Sequence, residues 1–542
     1  MIPEIAALVV VLYAAWGFIA MESNYRRASS MGIPLIRLPI DPLNVLFQVF
    51  EAHVWTILDL LPIRLPTFAR YARRGWFFPD KAESHLKYGP IWALVTPRDI
   101  HINICDPQSV VDIFAKRTQF VRPSKMYKLL EVYGPCISTA DETDWPRHRK
   151  ILSAPFNENA MDFTWNEARR QATQMLDSWI EQSESKDGLT SVAKNTRAVS
   201  LNIMAASGFH RSFQFKSSTR ESEGPVNGEF SYRDALQIVL DNAILLMLIS
   251  PRMLLGWWLP TSLRRVGQAA ADFKTHMTRM MEKDLQALQE GQPGSQSLMT
   301  SFVRSLNTGP KGFTVDEIFG NTFVINFAGH DTTANTLTFS LLLLARHPEI
   351  QDWLREEVVT VANDDSNWEY QTLFPKLVRC RAILLETLRL YPPIMSLPKW
   401  TNNEPQALRV ASRTIIIPPN TGISPSVLAT HTHPDYWPDP LIWKPSRWIL
   451  ANEGLLVPQK GTYFPWSEGP HNCLGMKFSQ VEFVAVIATL MKGCSLSVIG
   501  EEGESEKDMQ TRVDGVINDC DMQLLLRMKN PDKVRVKCTP SQ

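Results

Sequence analysis

FPWSEGPHNCLGMKFSQVEF, residues 464–483, puts one cysteine, Cys473, on a turn-rich loop where an apolar pattern begins. A disulfide needs a partner, and the nearest cysteine, Cys494, lies beyond that apolar stretch. A structural zinc site needs about four ligands at short spacings, and the sequence has no C-x-x-C pair. An inert buried cysteine is the common alternative, but it leaves Gly469, Pro470 and Gly475 unexplained. These residues hold backbone out of helix and strand, so that another group can approach closely. The helix expected after Cys473 directs its positive end at the sulfur, which favours thiolate. A lone thiolate on a rigid loop is what a single axial metal ligand requires.

The chain is large enough for more than one domain: 542 residues, 44% apolar. Lys+Arg and Asp+Glu both number 56, and no basic stripe points to nucleic acid. Seven scattered cysteines, an odd number, fit a reducing compartment. The absence of any N-x-[ST] acceptor fits a chain that does not face the secretory lumen. From Ile5 to Met21 run 17 residues without a charge, followed by Arg26 and Arg27. Residues 1–22 are therefore expected to be a membrane anchor with the body cytoplasmic, a cleaved signal peptide being the rival. Pro34, Pro39 and Pro42 predict a stiff, non-helical hinge over residues 23–50. Residues 51–542 then form the catalytic body.

In that body PIWALV, IHINIC, RTIIIP and DMQLLLRMK read as strands, and residues from about 140 to 345 read as mainly helical. ESKDGLTS and RESEGPVNGE read as polar loops between helices. The fold class is mainly α with small β-sheets, and no long βαβ alternation suggests a dinucleotide-binding sheet. ALQIVLDNAILLMLISPRMLLGWWLP, residues 235–260, is apolar enough for core, a membrane-touching patch or a substrate entrance.

One long helix opens at Thr314 and Glu317, spaced as a capping box, and closes at His347-Pro348. It is apolar nearly all round, so it should be buried. Ala328-Gly329-His330-Asp331-Thr332-Thr333 interrupts it. Glycine weakens a helix interior, a threonine hydroxyl can pull on a helical carbonyl, and a buried aspartate needs a partner. The cluster predicts an opened groove where something small binds. A second helix, FPKLVRCRAILLETLRLYPP, takes Pro375 into its first turn and ends at Tyr391-Pro392. It sets Glu386 and Arg389 on one buried face, with Arg447 of WKPSRW available to complete their hydrogen bonds.

Together these stretches resemble the cytochrome P450 family, in the family's order and over roughly residue 54 to the C-terminus, with microsomal fungal members the most similar. The resemblance implies the P450 fold with an N-terminal membrane-anchor helix and haem b held axially by Cys473. It implies an oxygen-activation motif with Asp331 and Thr332 relaying protons, and a structural triad of Glu386, Arg389 and Arg447. Trp145 and Arg149 in DWPRHRK, with Lys399, resemble residues that hold a haem propionate. Two positions depart from the family pattern: Trp466 stands for the usual Phe, and His471 for an arginine that would grip a propionate in a fork. A propionate beside His471 would favour its charged form. Leu474 replaces a frequent proline.

The implied reaction inserts one oxygen atom into an apolar substrate. Electrons would come from a membrane-bound NADPH-cytochrome P450 reductase, with cytochrome b5 as an optional second donor, at the endoplasmic reticulum membrane. Positions expected to face substrate lie in VRPSKMYKLLEVYGP, near Met247 to Trp258, along Phe323 to Ala328, in PIMSLP and near GVINDCD. These suit a terpenoid, polyketide or prenylated alkaloid, the substrates of secondary metabolism. The alternatives are a haem-thiolate isomerase or dehydratase that needs no reductase, and a non-catalytic membrane carrier of haem or lipid. Neither needs the Asp331-Thr332 pair.

Overall fold

The computed structural model describes residues 2–42, 44–62, 66–184, 188–189, 191–215, 228–293, 297–306, 309–362, 368–522 and 524–541. Most of the second expected polar loop, RESEGPVNGE, lies outside them. The architecture is mainly helical with one larger sheet. Strands β1 (Leu35–Arg37), β2 (Ile91–Val95), β3 (Ile100–Ile104), β4 (Phe120–Val121), β5 (Lys399–Thr401), β6 (Gln406–Val410), β7 (Arg413–Ile417), β8 (Gly422–Pro425), β9 (Cys494–Val498), β10 (Cys520–Met522), β11 (Leu526–Met528) and β12 (Val536–Pro540) form four sheets. The six-stranded sheet has the order β1-β2-β3-β8-β5-β4, and the other three are two-stranded: β6-β7, β9-β12 and β10-β11. The expected strand DMQLLLRMK is a hairpin, with Asp521 opposite Arg527.

The helices that position the site are α1 (Ile2–Ser29), α2 (Val45–Asp59), α3 (Trp145–Ser153), α4 (Glu158–Ser183), α5 (Val192–Phe209), α6 (Tyr232–Asp241), α7 (Thr261–Gln289), α8 (Val315–Arg346), α9 (Val378–Leu390) and α10 (Met476–Gly493). Helix α8 is the long one. Thr314 Oγ1 accepts from Glu317 N at 3.2 Å, while Glu317 Oε2 accepts from Thr314 N at 2.7 Å, completing the capping box. Its 32 residues span about 48 Å at ~1.5 Å each, buried on nearly every face between α5, α10 and neighbouring helices.

Several expectations change here. Helix α8 is continuous through residues 328–333, not opened. At Gly329 a Cβ would meet Met204 Cε of α5 at 2.2 Å, the flexible end of a side chain that can move aside. Helix α9 begins at Val378, so Pro375 precedes it, although Tyr391 does end it. Most of the expected hinge over residues 23–50 is regular structure. Residues 23–29 continue α1, β1 pairs with β2, and α2 starts at Val45. The prolines leave their carbonyls free to pair, and Pro34 O accepts from Ala93 N at 2.9 Å.

Among the described residues no helix is long and apolar enough to cross a membrane. The second half of α1 is docked on the larger sheet: Met21 and Ala28 are buried, and Asn24 Nδ2 donates to Thr96 O at 3.1 Å. Its first half leaves Leu8, Val11, Leu12, Tyr13 and Trp16 exposed. The apolar segment 235–260 divides between two roles. Ala235, Leu236, Val239 and Leu246 join the core, while Leu248, Met253, Trp257 and Trp258 stay exposed.

Candidate functional site

Cys473 follows a short 3₁₀ turn, Gly469–His471, and precedes α10. Gly469 has φ +68, and a Cβ there would strike Phe114 O at 2.6 Å, so only glycine fits that turn. Cys473 N donates to Trp466 O at 2.8 Å, and Trp466 Nε1 donates to Ser479 Oγ at 3.0 Å, bracing the loop against α10. The cysteine is exposed by surface area, yet protein crowds the sulfur enough that burial raises its pKa. In the metal-free chain the sulfur favours the thiol, since burial outweighs the Gly475 amide and the Arg149 charge; the expected thiolate belongs to the metal-bound form. A metal ion would have to displace the proton. On α8, Ala328 is exposed while Phe323, Val324, His330 and Asp331 around it are buried.

Cations gather near this loop. Lys399 on β5 is 4% exposed, and its Nζ lies 3.3 Å from His471 Nδ1. Arg122 reaches only a carbonyl, Ile137 O, at 3.3 Å, with Tyr127 as its ring neighbour. Arg149 of α3 donates to Asn472 O at 2.6 Å and Asn472 Oδ1 at 2.5 Å. Among the described residues none of the three has an ion pair. Burial, then Arg122, pushes Lys399 down to about 8, and burial also lowers Arg122. Burial followed by Arg122, Lys399, Arg117 and Arg149 pushes His471 down to about 3. Without a propionate beside it, this histidine is thus neutral. With Lys399 donating to Nδ1, Nε2 carries the hydrogen and has no hydrogen-bond acceptor. The Trp145 ring stands edge-on to His471 at 4.4 Å. Uncompensated cations, an orphaned N–H and an accessible thiol fit a flat group with a metal centre and anionic side arms. Haem, with its two propionates, is such a group. Sequence reasoning missed Arg122, which sits in a loop without any spacing signal.

The acid of the central helix has a cation. Arg197 of α5 donates from Nε to Asp331 Oδ1 at 2.9 Å, with Nη2 at 2.8 Å, and Arg197 Nη1 lies 3.6 Å from Asp241 Oδ1. Burial opposes ionisation of Asp331, but His330 in its protonated form, Arg197 and Arg527 hold its carboxyl below the usual range. Thr332 Oγ1 donates to Ala328 O at 2.8 Å, so its proton is engaged on the helix and its lone pairs are free. Thr333 is buried.

Away from this site, Glu386 and Arg389 form a two-fold pair, Nε to Oε2 and Nη2 to Oε1, both at 2.9 Å. Arg447 Nε donates to Oε1 and Trp448 Nε1 to Oε2, each at 2.9 Å, and Lys444 N adds a bond at 2.8 Å. Three carbonyls, of His431, Pro440 and Ile442, take the remaining Arg389 donors. A further buried cluster ties α3 to α8. Arg147 and His148 both bond Glu317, and Asn321 links His148 Nδ1 at 3.2 Å to Ile137 N at 2.9 Å. The carboxyl of Glu317 is lowered to about 2, burial being outweighed by Arg147, the Thr314 amide and His148.

The family model described as Cytochrome P450 matches residues 66–522. A cytochrome P450 monooxygenase of Arthrobotrys oligospora is 26% identical, over 96% of this chain and 95% of the relative. The phomenoic acid biosynthesis cluster cytochrome P450 monooxygenase of Leptosphaeria maculans is 26% identical, over 94% and 93%. Cytochrome P450 3A9 of Rattus norvegicus is 25% identical, over 83% and 88%.

Proposed function

This chain belongs to the cytochrome P450 family, whose members hold haem iron through a cysteine thiolate, and on that premise we propose that Cys473 is the ligand in a membrane-attached monooxygenase acting on an apolar small molecule. The observation that carries the reading is the pairing of an accessible thiol with buried Lys399 and half-buried Arg122 and Arg149, none of which has an ion pair among the described residues. Haem held by the Cys473 sulfur would supply the dioxygen chemistry. The protein's part is to bind, orient and deliver protons. Arg122, Lys399 and Arg149 hold the two propionates, with Trp145 and His471 as neutral donors. Asp331 takes protons from solvent, and the Thr332 hydroxyl passes them on after leaving Ala328 O. Glu386, Arg389 and Arg447 fix the loops around Trp448 and keep the thiol loop in place.

The substrate is an apolar secondary metabolite, a reading supported by the relative from the phomenoic acid cluster and by apolar residues such as Phe327 and Ala328. Electrons come from an NADPH-dependent reductase, with cytochrome b5 as an optional donor. The exposed first half of α1 and the Trp257–Trp258 tip attach the chain to the cytosolic face of the endoplasmic reticulum, as a single-pass anchor over residues 1–22 followed by the body.

Cys473→Ser tests the ligand. The red-shifted Soret band of the reduced, CO-bound protein should vanish, and a surviving band would assign the iron to another cysteine. NADPH consumption with an added reductase separates this reading from an isomerase or a carrier, neither of which consumes it.

A further inference from the structure

Among the described residues, four residues of α8 carry buried polar atoms that no protein group satisfies; three of them recur at one spacing, and the fourth is Asn335. Thr322 Oγ1, Asn326 Oδ1 and both ring nitrogens of His330 are buried without a hydrogen-bond partner. Residues four apart share a helical face, and the three side chains are 0%, 0% and 1% exposed. His330 Nδ1 lies 3.7 Å from Asp331 Oδ1. Arg527 of β11, one of the cations acting on Asp331, also has a buried Nε without an acceptor. Arg197 and His330 both approach Oδ1, and among the described residues nothing is bonded to Oδ2.

We propose that His330, backed by Asn326 and Thr322, holds internal water against Asp331 and so acts as a positioning residue for the proton that Asp331 passes toward Thr332. Buried polar groups without protein partners are usually satisfied by ordered water, which needs two to four polar partners. This site offers them along one face. Burial keeps the imidazole uncharged, so one nitrogen donates and the other accepts. A side chain with both capacities can turn a water so that its hydrogen points at Asp331 Oδ2. In the transfer, that water's O–H bond breaks and an O–H bond forms on Oδ2. As that bond breaks, a proton from solvent at the Arg197–Asp241 edge, where Asp241 is 42% exposed, forms a new O–H bond on the same water, so no hydroxide is left behind. One proton moves inward, and no electrons are transferred in this step.

The proposal rests on the proton-relay reading of Asp331, and the test separates the two. A crystal structure of the haem-loaded protein should show ordered water within hydrogen-bond reach of His330, lost in His330→Leu. With an NADPH-dependent reductase and no added substrate, His330→Leu should release severalfold more of the electrons as peroxide. Its solvent isotope effect should also change, while haem content and the CO band stay at wild type. His330→Gln, which keeps a donor and an acceptor, should recover most of the loss. If His330→Leu fails to load haem, Asn326→Leu and Thr322→Val carry the same expectation with a smaller effect. A dry His330 overturns the proposal. So does wild-type peroxide release in the apolar variants while Asp331→Asn is impaired. An unimpaired Asp331→Asn would overturn the relay itself.

Discussion

Two buried charge clusters are balanced in opposite ways. Around Glu386, every guanidinium donor of Arg389 meets a carboxylate or a carbonyl, and Glu386 is closed off by Arg447, Trp448 and the Lys444 amide. Around His471, Arg122, Lys399 and Arg149 have no ion pair among the described residues; the nearby Glu142 carboxylate pairs with Arg117 at 3.0 Å and lies 4.0 Å from His471 Nε2. A fully matched cluster completes the fold without help. An unmatched one raises the energy of the folded chain until an anion arrives, and so marks where a ligand binds. Buried charge is costly unless paired, so the difference between the clusters separates architecture from site.

The largest effect should come from breaking the matched cluster. Glu386→Ala leaves Arg389 and Arg447 facing each other without their carboxylate. Losing one partner of a buried pair costs about 3–5 kcal/mol, a large share of a domain's stability. The variant should yield little folded, haem-loaded protein. A soluble variant with near wild-type thermal unfolding would show that the carbonyls alone hold both arginines, and the contrast would fail.

The unmatched cluster should respond with the opposite sign. In the haem-extracted chain, Lys399 sits near pKa 8 when folded and 10.5 when unfolded. Between those values the unfolded chain binds more protons, so stability rises as pH climbs from about 8 to 10.5. Below that window Lys399 costs the fold on the order of 3 kcal/mol, at about 1.4 kcal/mol per unit. Lys399→Met should raise the stability of the haem-free chain at neutral pH and flatten its alkaline rise, yet weaken haem retention. Denaturant titrations across that window, with and without haem, test both halves. Stabilisation of the loaded protein as well would mean no anion uses this lysine.

What the sequence made legible follows the same division. Cys473, the Glu386–Arg389 pair and the Thr314–Glu317 box are local, each written within a few residues. Partners brought in by the fold were not legible. Arg197 reaches Asp331 across 134 residues, and Lys399 reaches His471 across 72. Arg122 could not be found, because it bonds a loop carbonyl and its significance comes from what it lacks. Reading Pro34, Pro39 and Pro42 as a hinge treated a missing donor as missing structure, although their carbonyls still pair. The protonation of Cys473 and His471 in the haem-free chain was not legible either, since burial and the neighbouring cations depend on the whole pocket and not on the loop.

The smallest effect should come from His471, and it sharpens what the unmatched cluster offers. Its imidazole cannot add a charge to the grip on an anion while four cations and burial keep it neutral down to about pH 3. Its contribution is one hydrogen, the unpartnered one on Nε2. A single hydrogen bond is worth about 0.5–1.5 kcal/mol net, or roughly 2–10-fold in affinity. His471→Leu should therefore lower haem retention by that factor alone, and His471→Gln, which keeps an N–H donor, should come close to wild type. His471→Arg adds a fifth cation to the pocket. It should destabilise the haem-free chain, as Lys399 does, while tightening haem binding. Retention measured by haem transfer to an acceptor protein should show no step attributable to His471 between about pH 6 and 9, the range in which an ordinary histidine would titrate. A step in wild type that disappears in His471→Gln would mean that the propionates outweigh the cations, and that this position carries charge after all.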